Sequence, residues 1–341
     1  MSVRRARRWS GSLYSCVRQD GALVAIRSYG SALAVCLSLG CSDGVSDNEK
    51  TGTQPVFPIH HERAAWSSLG EIAFRDNGIV CVGPRGGAEI DPDLAGIWVI
   101  DIETRQVDMI ALSGDDAAWA PGGRVLAYQL GSDVLVADLN TGRIQPVTAG
   151  GKNGAPAWSR SGTHIAYEST AENHGGFYSI WTVRGDGLER RRVTSNSDSD
   201  WRFPDWSLDD EWIVHVRRMP SVGLDIFAVT LNGEQMRLTE NTIPDTSPQY
   251  SPDGQSIAFV SQGRVDDGYP RIVVTDADGT NPRVFAPPAC DPAWSPDGSF
   301  IAFTWWDRSD DAPGNGVLWI LDLQTGLAEQ LTHKRSCSRR G

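Results

Sequence analysis

The 341 residues contain no Gly-Lys-Ser/Thr phosphate loop and no His-Glu-x-x-His pair, and their Gly-x-Ser-x-Gly match, Gly40–Gly44, lies between an apolar run and a polar stretch and not between a strand and a helix. The two absences remove the P-loop nucleotide site and the helical zinc pair, and the setting of Gly40–Gly44 is not the strand-to-helix turn that strains the serine nucleophile of the α/β hydrolases. Six cysteines are present but no Cys-x-x-Cys, so neither a zinc knuckle nor a dithiol redox motif is spelled out. The one short uncharged run near the N-terminus, Ser28–Gly40, falls short of the roughly 20 residues of a spanning helix. Helical periodicity is missing between the apolar segments. Positive charge is also in deficit, with 31 Lys and Arg against 43 Asp and Glu. A net charge of −12 repels phosphate backbones and argues against nucleic acid as a partner.

A repeated cassette fills the space these absences leave. PAWSPDGSFIAFTW (Pro292–Trp305) recurs as PQYSPDGQSIAFVS, PDWSLDDEWIVHVR and PAWSRSGTHIAYES, with two worn copies at Ala117–Gln129 and Ala64–Arg75. The anchors Trp66, Trp119, Trp158, Trp206, Tyr250 and Trp294 are spaced by 53, 39, 48, 44 and 44 residues. In each copy an aromatic ends one strand, Ser-Pro-Asp-Gly makes a tight turn, and a short run such as Ile-Ala-Phe returns. Third strands follow, such as DIFAVTLNG and LWILDLQTG, each closed by an Asn-Gly, Asp-Gly or Thr-Gly reversal, and a fourth often ends in Leu-Thr. The unit is a four-stranded antiparallel meander. Six such units with a period of about 40–45 residues predict an all-β, six-bladed β-propeller.

The pattern W-S-P-D-G-x-x-I-A-F, then I-x-V-x-D and L-T, resembles the WD-like β-propeller repeat of the TolB family over about Ala64–Thr332. The resemblance implies the propeller and a cell-envelope complex, while leaving function open, because such repeats serve many roles. TolB also has an N-terminal α/β domain, which is not expected here.

Residues 1–40 are basic, with Arg4, Arg5, Arg7, Arg8, Arg18 and Arg27, and end in the apolar run before Cys41. This is the arrangement of a signal peptide, and Leu37–Cys41 resembles a bacterial lipobox with Cys41 as the lipid attachment residue. Residues 41–58 then read as a flexible tether, 59–333 as the propeller and 334–341 as a C-terminal tail. Removing 1–40 leaves 25 basic and 42 acidic residues, a net of −17. The expected location is periplasm-facing or outer-membrane. Among Cys81, Cys290 and Cys337, one disulfide (Cys81–Cys337) and buried free thiols are both open. The last blade is completed either by Gln330–Thr332 or by a strand from Gln54–Ile59.

Candidate chemistry gathers where each inner strand begins, since in a propeller those junctions crowd one rim of the central channel. Asp115, Asp116, Asp245 and Asp291 bring carboxylates there, and Trp201 and Arg202 an aromatic–cation pair of the kind enriched at binding hot spots. Converging acids in a low-dielectric funnel favour a basic peptide, a cationic side chain or a divalent metal ion. No catalytic residue and no obligatory cofactor is assigned. The reading is a non-enzymatic, membrane-anchored, monomeric scaffold that binds a protein or peptide, itself basic, of the cell envelope. The alternative is a lyase or hydrolase of sugars at the channel mouth, metal-dependent if His60, His61 and His174 converge. Asp276–Gly279 and Asp266-Asp267 could be read as calcium loops, but Asp and Gly belong in such turns anyway. His215 stands where other copies carry Phe259 and Phe303, and so fills a blade core.

Overall fold

A computed structural model describes residues 15–19, 22–26 and 64–331, the last with gaps at 83–87, 105–106, 173–174, 195–198, 220–222, 263–268 and 307–315. Six four-stranded antiparallel sheets are present, each built from four consecutive strands paired in chain order. Their inner strands are Ala65–Trp66, Asp115–Trp119, Asn153–Trp158, Trp201–Trp206, Asp245–Tyr250 and Cys290–Trp294. The sixth blade packs on the first: Ala293, Ala302, Leu318 and Leu331 share one apolar cluster with Ile72, Phe74 and Val99. The fold is the six-bladed propeller that the repeat predicts. Its last blade takes its outer strand, Ala328–Gln330, from its own segment. A separate hairpin pairs Ser15–Gln19 with Ala22–Ile26. Cys41, His60, His61, His174, Asp266 and Asp267, with residues 27–63 and 332–341, lie outside the described residues.

The cassette has a local mechanism. Ser251 Oγ donates to Asp253 and receives the Ser256 N–H, while the Gly254 N–H returns to the Ser251 carbonyl. The same bonds recur at Ser295, Asp297, Phe300 and Gly298. Gly254 and Gly298 are left-handed, with φ of 70° and 73°, which is why the fourth turn residue is glycine. Hydrogen bonds from Ser251 and Ser295 hold the Asp253 and Asp297 carboxyls below the usual range. In the first blade the corresponding bond joins Glu71 N–H to Ser67, one residue closer, so the missing residue is absorbed in the turn.

The returning strands are apolar on both faces because each sheet is sandwiched between two others. Ile257, Ala258 and Phe259 are fully buried, as are Ile301, Ala302 and Phe303. Each buried Ile or Phe contributes about 1.5–3 kcal/mol. Anchors also stitch blades together: Trp206 Nε1 donates to the Ala157 carbonyl and Trp294 Nε1 to that of Gln249, both at 3.2 Å. The Leu-Thr endings are explained by a second stitch. Thr148, Thr194 and Thr239 each accept the N–H of a third-strand residue, Val134, Ile180 and Ile226.

Asn-Gly is by composition a strong hairpin signal. Asn77-Gly78 does not reverse the chain; it sits within the long strand Glu71–Val82, at a register shift against Ala88–Asp101. The ladder continues to the Val82–Ala88 pair, so the reversal falls at 83–87. The bulge absorbs the dipeptide that would otherwise turn.

Candidate functional site at the channel mouth

Topology fixes what surrounds the channel. Inner strands run from one face, here the mouth face, to the turn face that carries the Ser-Pro-Asp-Gly turns. Second strands return, so the second-to-third connections and the blade-to-blade junctions both lie on the mouth face.

The inner strands share a feature at this end. In the five whose beginnings are described, the residue three before the anchor is left-handed: Asp116, Ala155, Phe203, Ser247 and Asp291, with φ between 41° and 55°. Each coincides with a register shift against the second strand. A non-glycine residue in this region costs roughly 1–2 kcal/mol, so the bulge is maintained by its surroundings. Two of the bulge N–H groups are held by a carboxylate of the preceding blade. Asp116 Oδ2 accepts from Ala155 and Glu168 Oε2 from Phe203, both at 3.3 Å.

Beside the bulge, equivalent positions form a series of blade joints. Arg75 of the first blade pairs with Asp115 of the second at 3.2 Å. Gln129 of the second blade crowds Gly154 of the third, where any Cβ would collide with its amide. Glu168 of the third blade meets Arg202 of the fourth at 3.3 Å. Charge order reverses between the first of these joints and the third. Arg202 also lies over the Tyr178 ring, its guanidinium carbon 3.9 Å from the centroid. Tyr178 in turn gives its N–H to Asp200 and its carbonyl to the Trp201 N–H.

The six sequence-predicted residues are therefore placed unevenly. Asp115, Asp116 and Arg202 stand at the mouth, part-exposed and held by the joints. Asp245 and Trp201 occupy the interior, fully buried. Asp245 accepts from Ser261 Oγ at 2.5 Å and Asn241 Nδ2 at 2.9 Å, matching Asn153, which accepts from Ser169 in the third blade. Trp201 packs against His215, 5.1 Å between ring centroids, with the Arg217 guanidinium carbon 4.6 Å from its ring centroid. Asp291 is buried too, 3.5 Å from Thr304 Oγ1. The four carboxylates sit at three different levels of their strands, so they do not form one exposed acidic ring. Sequence reading missed Arg75, Glu168 and Tyr178. The available signal was a charged residue ending an apolar returning strand.

His215 fills the blade core as expected, fully buried and stacked on Phe227. Burial pushes its pKa down to about 4. Asp276 and Asp278 spend their carboxylates on Thr280 and Asn281 within their own turn. Among the described residues no group of three or more His, Cys, Asp or Glu is placed to hold a metal ion. Cys290 is disulfide-bonded and so is not a free thiol, while the side chain of Cys81 and all of Cys337 lie outside the described residues.

No family model matches the chain. An uncharacterised protein of Agrobacterium fabrum is 27% identical over 162 residues, 42% of this chain; the match spans about half, 53%, of that relative. A protein assigned as TolB from Agrobacterium tumefaciens superposes with a TM-score of 0.61 at 23% identity, over 69% of this chain and 87% of the other. TolB from Acinetobacter baumannii gives 0.62 at 20%, over 78% of this chain and 65% of its own. A manganese complex of oligogalacturonate lyase is more distant, with a TM-score of 0.52 at 14% identity, over 79% and 83%. At these identities the likeness is one of fold.

Proposed function

We propose that this chain is a non-enzymatic propeller of the bacterial cell envelope that binds a protein or peptide partner on its mouth face, as a monomer held to a membrane through Cys41. The observation that carries this reading is the chain of blade joints at the mouth. Arg75–Asp115 and Glu168–Arg202–Tyr178 fix charged and aromatic groups at part-exposed positions without assembling a nucleophile, a metal set or an acid–base pair among the described residues. Held groups of this kind suit recognition, because the cost of ordering them is met before the partner arrives. The nearer superposition on TolB structures than on the lyase supports the same side.

The partner is basic in this reading. Export would leave a net charge of −17, and Asp115 and Asp116 keep carboxylates at the rim. Surface electrostatics of this sort steers encounter and is screened by salt. The test is affinity purification from envelope extracts after chemical crosslinking, comparing wild type with the Asp115→Asn/Arg202→Ala double variant. One protein retained by wild type at low salt and lost by the variant supports the reading. Identical adducts from both would move the partner surface elsewhere.

A further inference from the structure

The first blade differs from the others in one respect that no repeat requires. Its second and third strands, Glu71–Val82 and Ala88–Asp101, run to 12 and 14 residues, against 6 and 6 in the second blade. The inner strand, Ala65–Trp66, pairs only as far as Ala73, and the outer strand pairs only from Gly96. Residues 76–82 and 88–95 thus form a two-stranded arm that continues past the blade on the mouth face. Among the described residues neither of its outer edges has a strand partner.

The two edges are chemically unlike. The outer edge carries Pro92 and a wide register shift between the Asn77–Ala95 and Ile79–Ile90 pairs. Missing N–H groups and bulges are how sheets blunt an edge against further pairing. The inner edge, on the channel side, carries Ile79-Val80-Cys81-Val82, β-branched for the most part, without proline. It is an unblunted edge. A two-stranded ribbon is marginal on its own, which favours acquisition of a third strand.

We propose that the inner edge of this arm, centred on Ile79–Val82, takes up an extended basic segment of a partner protein by strand addition beside the channel mouth. The inference rests on the partner-binding reading above and adds the docking mode. Basicity follows from composition: the arm's strands carry Asp76, Glu89, Asp91 and Asp93 and no Lys or Arg between 76–82 and 88–95. Backbone pairing would supply affinity and the carboxylates would select charge.

The experiment uses full-length protein and three synthetic ten-residue peptides: alternating Lys-Thr, alternating Glu-Thr, and alternating Lys-Pro, which keeps the charge but lacks every second N–H. Binding is followed by fluorescence anisotropy at low salt, and amide hydrogen exchange over 76–82 is read by mass spectrometry. The proposal expects the Lys-Thr peptide to bind at least about tenfold tighter than the other two and to slow exchange at Ile79–Val82. An arm-shortened variant, in which an Asn-Gly turn replaces residues 78–94 and closes the ladder at the Asn77–Ala95 pair, should lose that preference and keep the wild-type melting temperature. Equal binding of the Lys-Pro peptide would reduce the interaction to charge alone and overturn strand addition. Exchange at Ile79–Val82 that is already slow without peptide would show the edge filled by this chain itself, and overturn it too. If the shortened variant binds as wild type does while the Asp115→Asn/Arg202→Ala variant does not, the arm proposal fails and the mouth reading stands.

Discussion

Asp210 of the fourth blade accepts the backbone N–H groups of Arg160 and Ser161 in the third, at 2.6 and 3.0 Å. At other joints of the turn face an apolar residue meets a glycine instead: Leu69 on Gly123, Pro121 on Gly162, Leu208 on Gly254, Pro252 on Gly298. Asp210 stands where those glycines stand, and is left-handed with φ 59°. The residue accepts backbone strain in return for an inter-blade clamp, which Arg160 extends by donating to Asp205 and to the Tyr250 carbonyl.

Asp210→Gly should therefore destabilise the protein even though glycine suits the backbone better. Two charge-assisted hydrogen bonds are lost, worth about 1.5–3 kcal/mol each before the relief of strain offsets part of it. Urea denaturation should show a lower midpoint, corresponding to a net loss of about 1–5 kcal/mol. An unchanged or raised midpoint would contradict the clamp.

His215 gives a pH dependence with a definite sign. Its pKa is held down to about 4 by burial in the native state, and in the unfolded chain it returns to about 6.5. The unfolded state binds the proton first, so stability falls as pH drops from about 6.5 to about 4, by about 3 kcal/mol at most. Arg217 beside the ring acts in the same direction. Phe fills this position in other blades, so His215→Phe should flatten the slope of melting temperature between pH 6.5 and 4.5. A slope equal to wild type would place its origin in other groups.

The Ser–Asp turns act at lower pH. Asp209, Asp253 and Asp297 have depressed native pKa values, caused first by the serine hydrogen bond. Their contribution is present above the ordinary aspartate value of about 3.9 and is lost as pH falls through the native value. Ser251→Ala/Ser295→Ala should lower the melting temperature at pH 6, and the gap to wild type should narrow as pH falls below the ordinary aspartate value of about 3.9. A gap independent of pH would assign the loss to packing.

The proposed membrane attachment rests on one residue. Cys41→Ser should move the exported protein from the membrane to the soluble fraction, since several acyl chains hold a protein where one holds it only marginally. An unmodified N-terminus starting at another residue, found by mass spectrometry of wild type, would contradict the anchor.

How far the sequence could be read follows from the range of each interaction. Blades were legible because Ser251, Asp253 and Gly254 settle their turn within a few residues, and because His215, Phe259 and Phe303 occupy one repeat position. The mouth was less so. Arg75 with Asp115 and Glu168 with Arg202 are separated by a whole blade, and nothing local says that the second strand of one blade faces the inner strand of the next. Asp245 and Asp116 look alike in sequence, yet Asp245 lies two positions earlier along its strand and is buried on Ser261 and Asn241, while Asp116 reaches across a joint to the Ala155 N–H. Asn77-Gly78 carries a strong local turn preference that the long ladder of the first blade overrides.

The most direct measurement is site-specific photocrosslinking in living cells, with the reactive residue placed once at Ser132, exposed on the mouth face, and once at Leu208, exposed on the turn face. A discrete adduct from Ser132, diminished by the Asp115→Asn/Arg202→Ala change and absent from Leu208, is the result predicted for a propeller that binds through its channel mouth. Adducts from Leu208 alone would contradict it.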